Sequence, residues 1–151
     1  VTKGAVAKTI IKYVNKAKEA GYIMSCMVIL GLGGKKYSKD HIKGTAEVIS
    51  ACSPNYVGAL TLYLENGIKQ EFVEKYEGEF VKINDDESLD ELYELVNQIN
   101  TKQEIVFRVN HGSNAYTVKG TFPQDKQEML EKVEWMKDHP EIVRPQGIRG
   151  F

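Results

Sequence analysis

The chain has 151 residues, with 20 Lys and Arg against 21 Asp and Glu and a formal charge of −1. That is the size of one domain, able to bury roughly 70% of its unfolded surface, and the balanced charge gives no global pull toward nucleic acid or anionic membrane. The sequence holds no run of about 18 apolar residues and no apolar signal core, so a soluble, cytoplasmic protein is expected.

Val6, Ile10, Ile11, Val14 and Ala17 recur at helical spacing, which predicts a helix over 5–20 ended by Gly21. Residues 22–30 (YIMSCMVIL) are almost continuously apolar, as suits a parallel strand buried on both faces. Gly31, Gly33 and Gly34 break the run. Ser38 then reads as an N-cap with Asp40 in the first turn, and Ile42, Thr45, Ala46, Ile49 and Cys52 line one face of a second helix. Residues 53–55 (SPN) turn the chain into a second strand over 56–64 (YVGALTLYL), in which Gly58 suggests close approach by backbone or ligand.

Glu65, Asn66 and Gly67 turn the chain again, and 68–76 reads as a short helix. Residues 77–86 are polar and irregular, with a brief extended piece at EFVKI. Asp85 or Asp86 caps a helix whose stripe is Leu89, Leu92, Val96 and Ile99. A third strand follows over 104–109, then a polar loop, NHGSNAYTVKG. A last helix starts at a Thr121 cap, with Pro123 in its first turn, and His139-Pro140 closes it before a basic tail running to Phe151. Strands alternating with helices imply right-handed crossovers and a parallel sheet. Three strands are too few to close a barrel, so the expected class is α/β, a part of a larger parallel fold.

In parallel α/β sheets ligands sit at the carboxyl ends of strands. Three segments meet that description: GLGGKK, YLENG and RVNHGSN. The first places glycines and Lys35 and Lys36 before a helix, an arrangement that favours anions. It satisfies neither phosphate fingerprint: Lys36 stands where GxxxxGK[ST] needs Ser or Thr and where GxGxxG needs its last glycine. A nucleotide or phosphate-ester module therefore remains one reading, and a ligand-free interaction domain another. His111 is a candidate proton carrier or hydrogen-bonded loop residue, whereas His41 and His139 are expected at the surface. The two cysteines, Cys26 and Cys52, lie among apolar neighbours and read as core residues. No zinc-ligand spacing is present, and no metal ligand is assigned.

Three stretches in order, AGYIMSCMVILGLGG, SPNYVGALTLYLENG and FRVNHGSNAYTVKGTFPQDKQEML, resemble the later half of radical S-adenosylmethionine (SAM) enzymes. The resemblance is to the Fe–S oxidoreductase group related to oxygen-independent coproporphyrinogen oxidase, and it spans residues 3–151. It implies a partial (β/α)6 TIM-like barrel, with residues 1–76 as barrel units and 77–151 as a carboxyl-terminal extension. It further implies SAM and a 4Fe–4S cluster as cofactors of the parent protein, and reductive cleavage of SAM to a 5′-deoxyadenosyl radical.

By the same resemblance, Ile29, Leu30, Gly31, Leu32, Ala59, Leu60 and Thr61 lie around the adenosyl group. Arg108, Asn110, His111 and Asn114 would face the substrate or methionyl side. The match to the family's GxIxGxxE motif is partial: Ile29 and Gly31 fit, while Met27 replaces its first glycine and Gly34 its glutamate. The family's CxxxCxxC does not occur, so this chain is expected to hold neither SAM nor the cluster by itself and to be inactive alone. An apolar strand over 22–30 with an open edge also implies pairing with another chain, and a homodimer or a domain exchange is expected there.

Overall fold

The computed structural model describes residues 4–64 and 66–149. The expected turn at Glu65 and the ends of the SAM-enzyme resemblance, Lys3 and Phe151, lie outside the described residues. The fold is α/β, built on an open four-stranded sheet in the order β1-β2-β3-β4. The strands are β1 (Ser25–Leu30), β2 (Tyr56–Thr61), β3 (Ile105–Val109) and β4 (Val118–Phe122). β1–β2 and β2–β3 are parallel, and β3–β4 is antiparallel.

The helices are α1 (Ala7–Glu19), α2 (Gly34–Cys52), α3 (Asn66–Glu74), α4 (Asp85–Gln98) and α5 (Lys126–Lys137). α1 packs on α2, α2 on α4 and α4 on α5, which makes one layer in the same sense as the sheet order. The face of the sheet turned to this layer carries Val57, Ala59, Ile105, Phe107, Val109, Val118 and Phe122, all buried. They meet Leu89, Leu92, Leu95 and Val96 of α4 and Met129 and Val133 of α5. Each large side chain so buried stabilises the fold by about 1.5–3 kcal/mol relative to exposure.

Because side chains alternate along a strand, the other face carries Met27, Ile29, Tyr56, Gly58, Leu60, Val106 and Arg108. Met27 is 63% exposed and Tyr56 47%. The expectation of strands buried on both faces is therefore corrected: β1 shows alternating exposure from Ser25 to Val28.

β4 occupies residues expected to form the end of a loop and the start of a helix. Thr121 does not cap α5; it lies in the ladder opposite Val106, and Asp125 is the N-cap. Val118 and Phe122 are buried toward the helices, and Gly120 leaves room for Met129, whose sulfur would lie 2.6 Å from a Cβ there.

Two other helix starts also differ. Asn84, not Asp85 or Asp86, caps α4, and it forms a reciprocal capping box with Glu87. α2 begins at Gly34 and kinks at Tyr37, where the backbone leaves helical geometry, and the Ser38 hydroxyl bonds a side chain rather than capping. No strand forms at EFVKI. Among the described residues no helix is long and apolar enough to cross a membrane.

Candidate functional site at the carboxyl ends of the strands

The parallel register puts Leu30 beside Thr61, and the Leu62 N–H donates to the Leu30 carbonyl at 2.9 Å. Gly31 and Thr61 therefore stand at the same end of neighbouring strands. Side-chain direction then divides the seven candidates there. Ile29 and Leu60 lie on the uncovered face, half-buried. Leu30 and Ala59 point into the core at 2% and 1% exposure, so only their backbone can meet a ligand on that face. Leu32 is half-buried in the turn.

Beyond Val109 the chain no longer follows β2 as a strand, and side chains of the 110–114 loop continue the pairing. Asn114 Nδ2 donates to the Ala59 carbonyl at 2.9 Å, and its Oδ1 accepts the Thr61 hydroxyl at 3.0 Å. The Thr61 N–H donates to Ser113 Oγ at 3.3 Å. Asn114 is 1% exposed, so it ties strand ends together and is not available to a substrate.

His111 Nδ1 accepts the Ser113 N–H at 3.1 Å and lies 2.9 Å from Ser113 Oγ. Nδ1 therefore carries the lone pair, and the ring proton sits on Nε2. His111 and Asn110 are exposed beside this network. Arg108 lies on the uncovered face, and its Nη1 donates to the Phe107 and Gly120 carbonyls at 2.7 and 3.0 Å. The structure thus brings Ile29 and Leu60 together on the uncovered face, leaves Asn110 and His111 at the rim, and turns Thr61 and Asn114 toward the helix layer, with Gly31 buried in the turn between.

The glycine turn after β1 is already filled by the protein. Glu91 of α4 is 2% exposed; its Oε2 accepts the Gly31 N–H at 2.6 Å and its Oε1 the Ser38 hydroxyl at 2.7 Å. A buried carboxylate so paired occupies the place an anionic ligand would take at a helix start. Lys35 pairs with Glu87 at 2.6 Å, and Lys36 donates to the Glu77 carbonyl at 3.1 Å. Lys35 and the Asn84 N–H hold the Glu87 carboxyl below its ordinary range.

Gly34, at φ +54°, fits under Phe80; a Cβ there would lie 2.9 Å from the ring. Tyr76 closes the turn by donating its hydroxyl to the Gly33 carbonyl at 2.6 Å. Glu91 was not among the sequence candidates. Its signal was available: it lies among Ser88, Leu92 and Leu95, a carboxylate inside an otherwise buried stripe. A groove of about 890 Å³ runs between α2 and α4, with lysines on one wall and Glu87, Asp90 and Glu94 on the other.

The remaining expected residues fall elsewhere. His41 is not a free surface residue, since its Nε2 donates to the Ile29 carbonyl at 2.9 Å. Cys26 faces the helix layer near the start of β1, and Cys52 ends α2. α2 returns toward the amino ends of the strands, so both thiols lie opposite the glycine turn. Burial pushes both thiols up, most directly by desolvation. Among the described residues no group of three or more His, Cys, Asp or Glu side chains could hold a metal ion. Comparison with protein-family models, curated proteins and solved structures finds no match to this chain.

Proposed function

We propose that this chain is the carboxyl-terminal part of a radical SAM partial barrel, and that the ends of β1 and β2 seat the adenosyl group. The observation that carries the reading is the shelf at Gly31 and Thr61. Two parallel strands end side by side there, with Ile29 and Leu60 half-buried on an uncovered apolar face. Such a surface suits a flat, neutral adenine ring. Glu91 already engages the first N–H of the turn and the lysines have partners, so the arrangement favours adenine over a phosphate.

The 4Fe–4S cluster does not fit this chain. It takes thiolate ligands, and Cys26 and Cys52 lie at the far end of the strands. The reaction class, reductive cleavage of SAM to a 5′-deoxyadenosyl radical, accordingly belongs to the parent protein. The role proposed for this chain is placement and shielding: Ile29 and Leu60 beneath the base, Thr61 fixed by Asn114, and His111 and Asn110 at the rim toward a substrate.

Equilibrium dialysis tests this reading, comparing SAM with ATP. Without the cluster SAM should bind only weakly, and it should lose that affinity in Leu60→Asp while Lys35→Ala with Lys36→Ala leaves it unchanged. Tighter binding of ATP that the double lysine variant abolishes would replace the proposal with the phosphate-binding reading.

A further inference from the structure

We propose that the uncovered face of the sheet carries a seat for the carboxylate of an apolar-bodied substrate, formed by Arg108 and Lys119. The inference rests on the reading of this face as the inside of the adenosyl site, and it adds a chemical class for the molecule that shares it.

One row crosses the whole sheet in register: Met27 opposite Gly58, Gly58 opposite Arg108, and Arg108 opposite Lys119. Side chains alternate along each strand, and Phe107, Val118 and Phe122 are buried against the helices. Arg108 and Lys119 therefore stand together on the other face. Directly opposed residues of antiparallel strands hold their Cβ atoms about 4.5–5.5 Å apart, and like charges so placed repel. The strand residues of this face include no Asp or Glu. Glu104, just before β3, is in line with Arg108 but about 13 Å away along the strand, and it accepts a hydrogen bond from Gln124 at 2.7 Å. Neither Arg108 nor Lys119 has an ion pair among the described residues.

The guanidinium is nevertheless fixed. Its Nη1 donates to the Phe107 and Gly120 carbonyls at 2.7 and 3.0 Å. Nη1 lies on the Cδ side of the group, so the edge left over is the one formed by Nε and Nη2. That edge makes no hydrogen bond among the described residues, and its two parallel N–H groups match the two oxygens of a carboxylate. A planar fork already held by the backbone loses little freedom when it binds. Lys119, exposed beside it, adds a second positive charge.

The surface next to this pair selects the rest of the ligand. Met27 lays its thioether over Gly58, with the sulfur 2.9 Å from where a Cβ would stand. Tyr56, opposite Val106, continues the apolar patch one row toward the amino ends of the strands. Met27 and Tyr56 are 63% and 47% exposed. An apolar body resting on them brings its carboxylate to Arg108, a few polar groups fixing an otherwise apolar ligand. Ile29 and Leu60, one row the other way, stay free for the base. A bare phosphate would use the same cations and gain nothing from the thioether and the ring.

The probe is phenylbutyrate, compared at low salt with phenylbutanol and with inorganic phosphate. Each is titrated into the full chain and followed through the amide signals and the Arg108 Nε–H signal. Phenylbutyrate should shift the Arg108 Nε–H and the Lys119 amide and bind roughly tenfold more tightly than either comparison. Lys119→Glu, at an exposed position, supplies Arg108 with a carboxylate from within and should abolish these shifts. Arg108→Lys keeps the charge without the fork and should weaken binding about tenfold; if that variant unfolds, Lys119→Glu decides. Excess SAM should leave phenylbutyrate binding unchanged. Equal binding of the alcohol or of phosphate, or binding that survives Lys119→Glu, overturns the proposal. So does displacement by SAM, which would make the bound anion the cofactor's own carboxylate. Phenylbutyrate has no adenosyl group, so this proposal and the adenosyl site can fail separately.

Discussion

The Glu91 carboxylate reaches from α4 to the turn after β1 and accepts the Gly31 N–H at 2.6 Å. One side chain thereby joins the helix layer to the strand end where the adenosyl group is proposed to sit. Glu91→Ala leaves that N–H and the Ser38 hydroxyl unpaired in a buried place. It should lower stability by about 2–3 kcal/mol in urea denaturation, and Glu91→Gln, which keeps one acceptor, by less. Wild-type stability in both would show that the turn is held by other contacts.

Asn114 is the corresponding tie between β2 and the loop after β3. Its amide donates to the Ala59 carbonyl while its oxygen accepts from Thr61, so the two ends are not interchangeable. Asn114→Asp sets a carboxylate oxygen against a carbonyl and should destabilise by roughly 2–3 kcal/mol, more than Asn114→Leu. Thermal unfolding of the two variants ranks them.

How far the sequence disclosed these features follows from what each rests on. The four long helices and three parallel strands rest on local periodicity, which is written in the chain. β4 rests on a pattern too sparse to stand out: Val118, Gly120 and Phe122 alternate, but a glycine fills the middle core position because Met129 packs on it. The Thr121 and Pro123 pair also imitates a helix start. The strand ends were legible as a group, since GLGG and TLYL both follow apolar runs. Their division into core-facing and open-facing residues was not, because it depends on which side the helices cover. Asn114 and Glu91 act across more than 50 residues of sequence, and no local pattern announces such a bond.

Tyr116 should make the fold sensitive to alkali. Burial, and then the charges of Asp85 and Asp86, push its phenol from 10.0 up to about 12. The folded state therefore keeps the proton that the unfolded state releases near pH 10. The stability linked to this group is fully present below pH 10 and is lost as the pH rises through about 12. The loss should be on the order of 2 kcal/mol. Tyr116→Phe should not show this component, and denaturation series at pH 9 to 12 in the two proteins measure the difference.

Arg149 straps the tail onto the start of α4 through two bonds to Asp85, at 2.9 and 2.7 Å, with its side chain 9% exposed. The Arg144 N–H also donates to the Ala115 carbonyl at 3.0 Å. Arg149→Met should release this strap at a cost of about 1–3 kcal/mol, less than for a fully buried pair because Asp85 is partly open to water. Amide exchange at Arg144 should accelerate while that at Phe107 does not, and unchanged exchange at Arg144 would mean that the backbone bond holds the tail alone.

The central claim is that the ends of β1 and β2 seat an adenosyl group, and amide chemical-shift mapping with SAM tests it most directly, because it reads even weak binding residue by residue. The account predicts shifts concentrated at Gly31, Leu32, Leu60 and Thr61. Shifts confined to Lys35, Lys36 and the α2–α4 groove, or no saturable shifts at the strand ends, would contradict it.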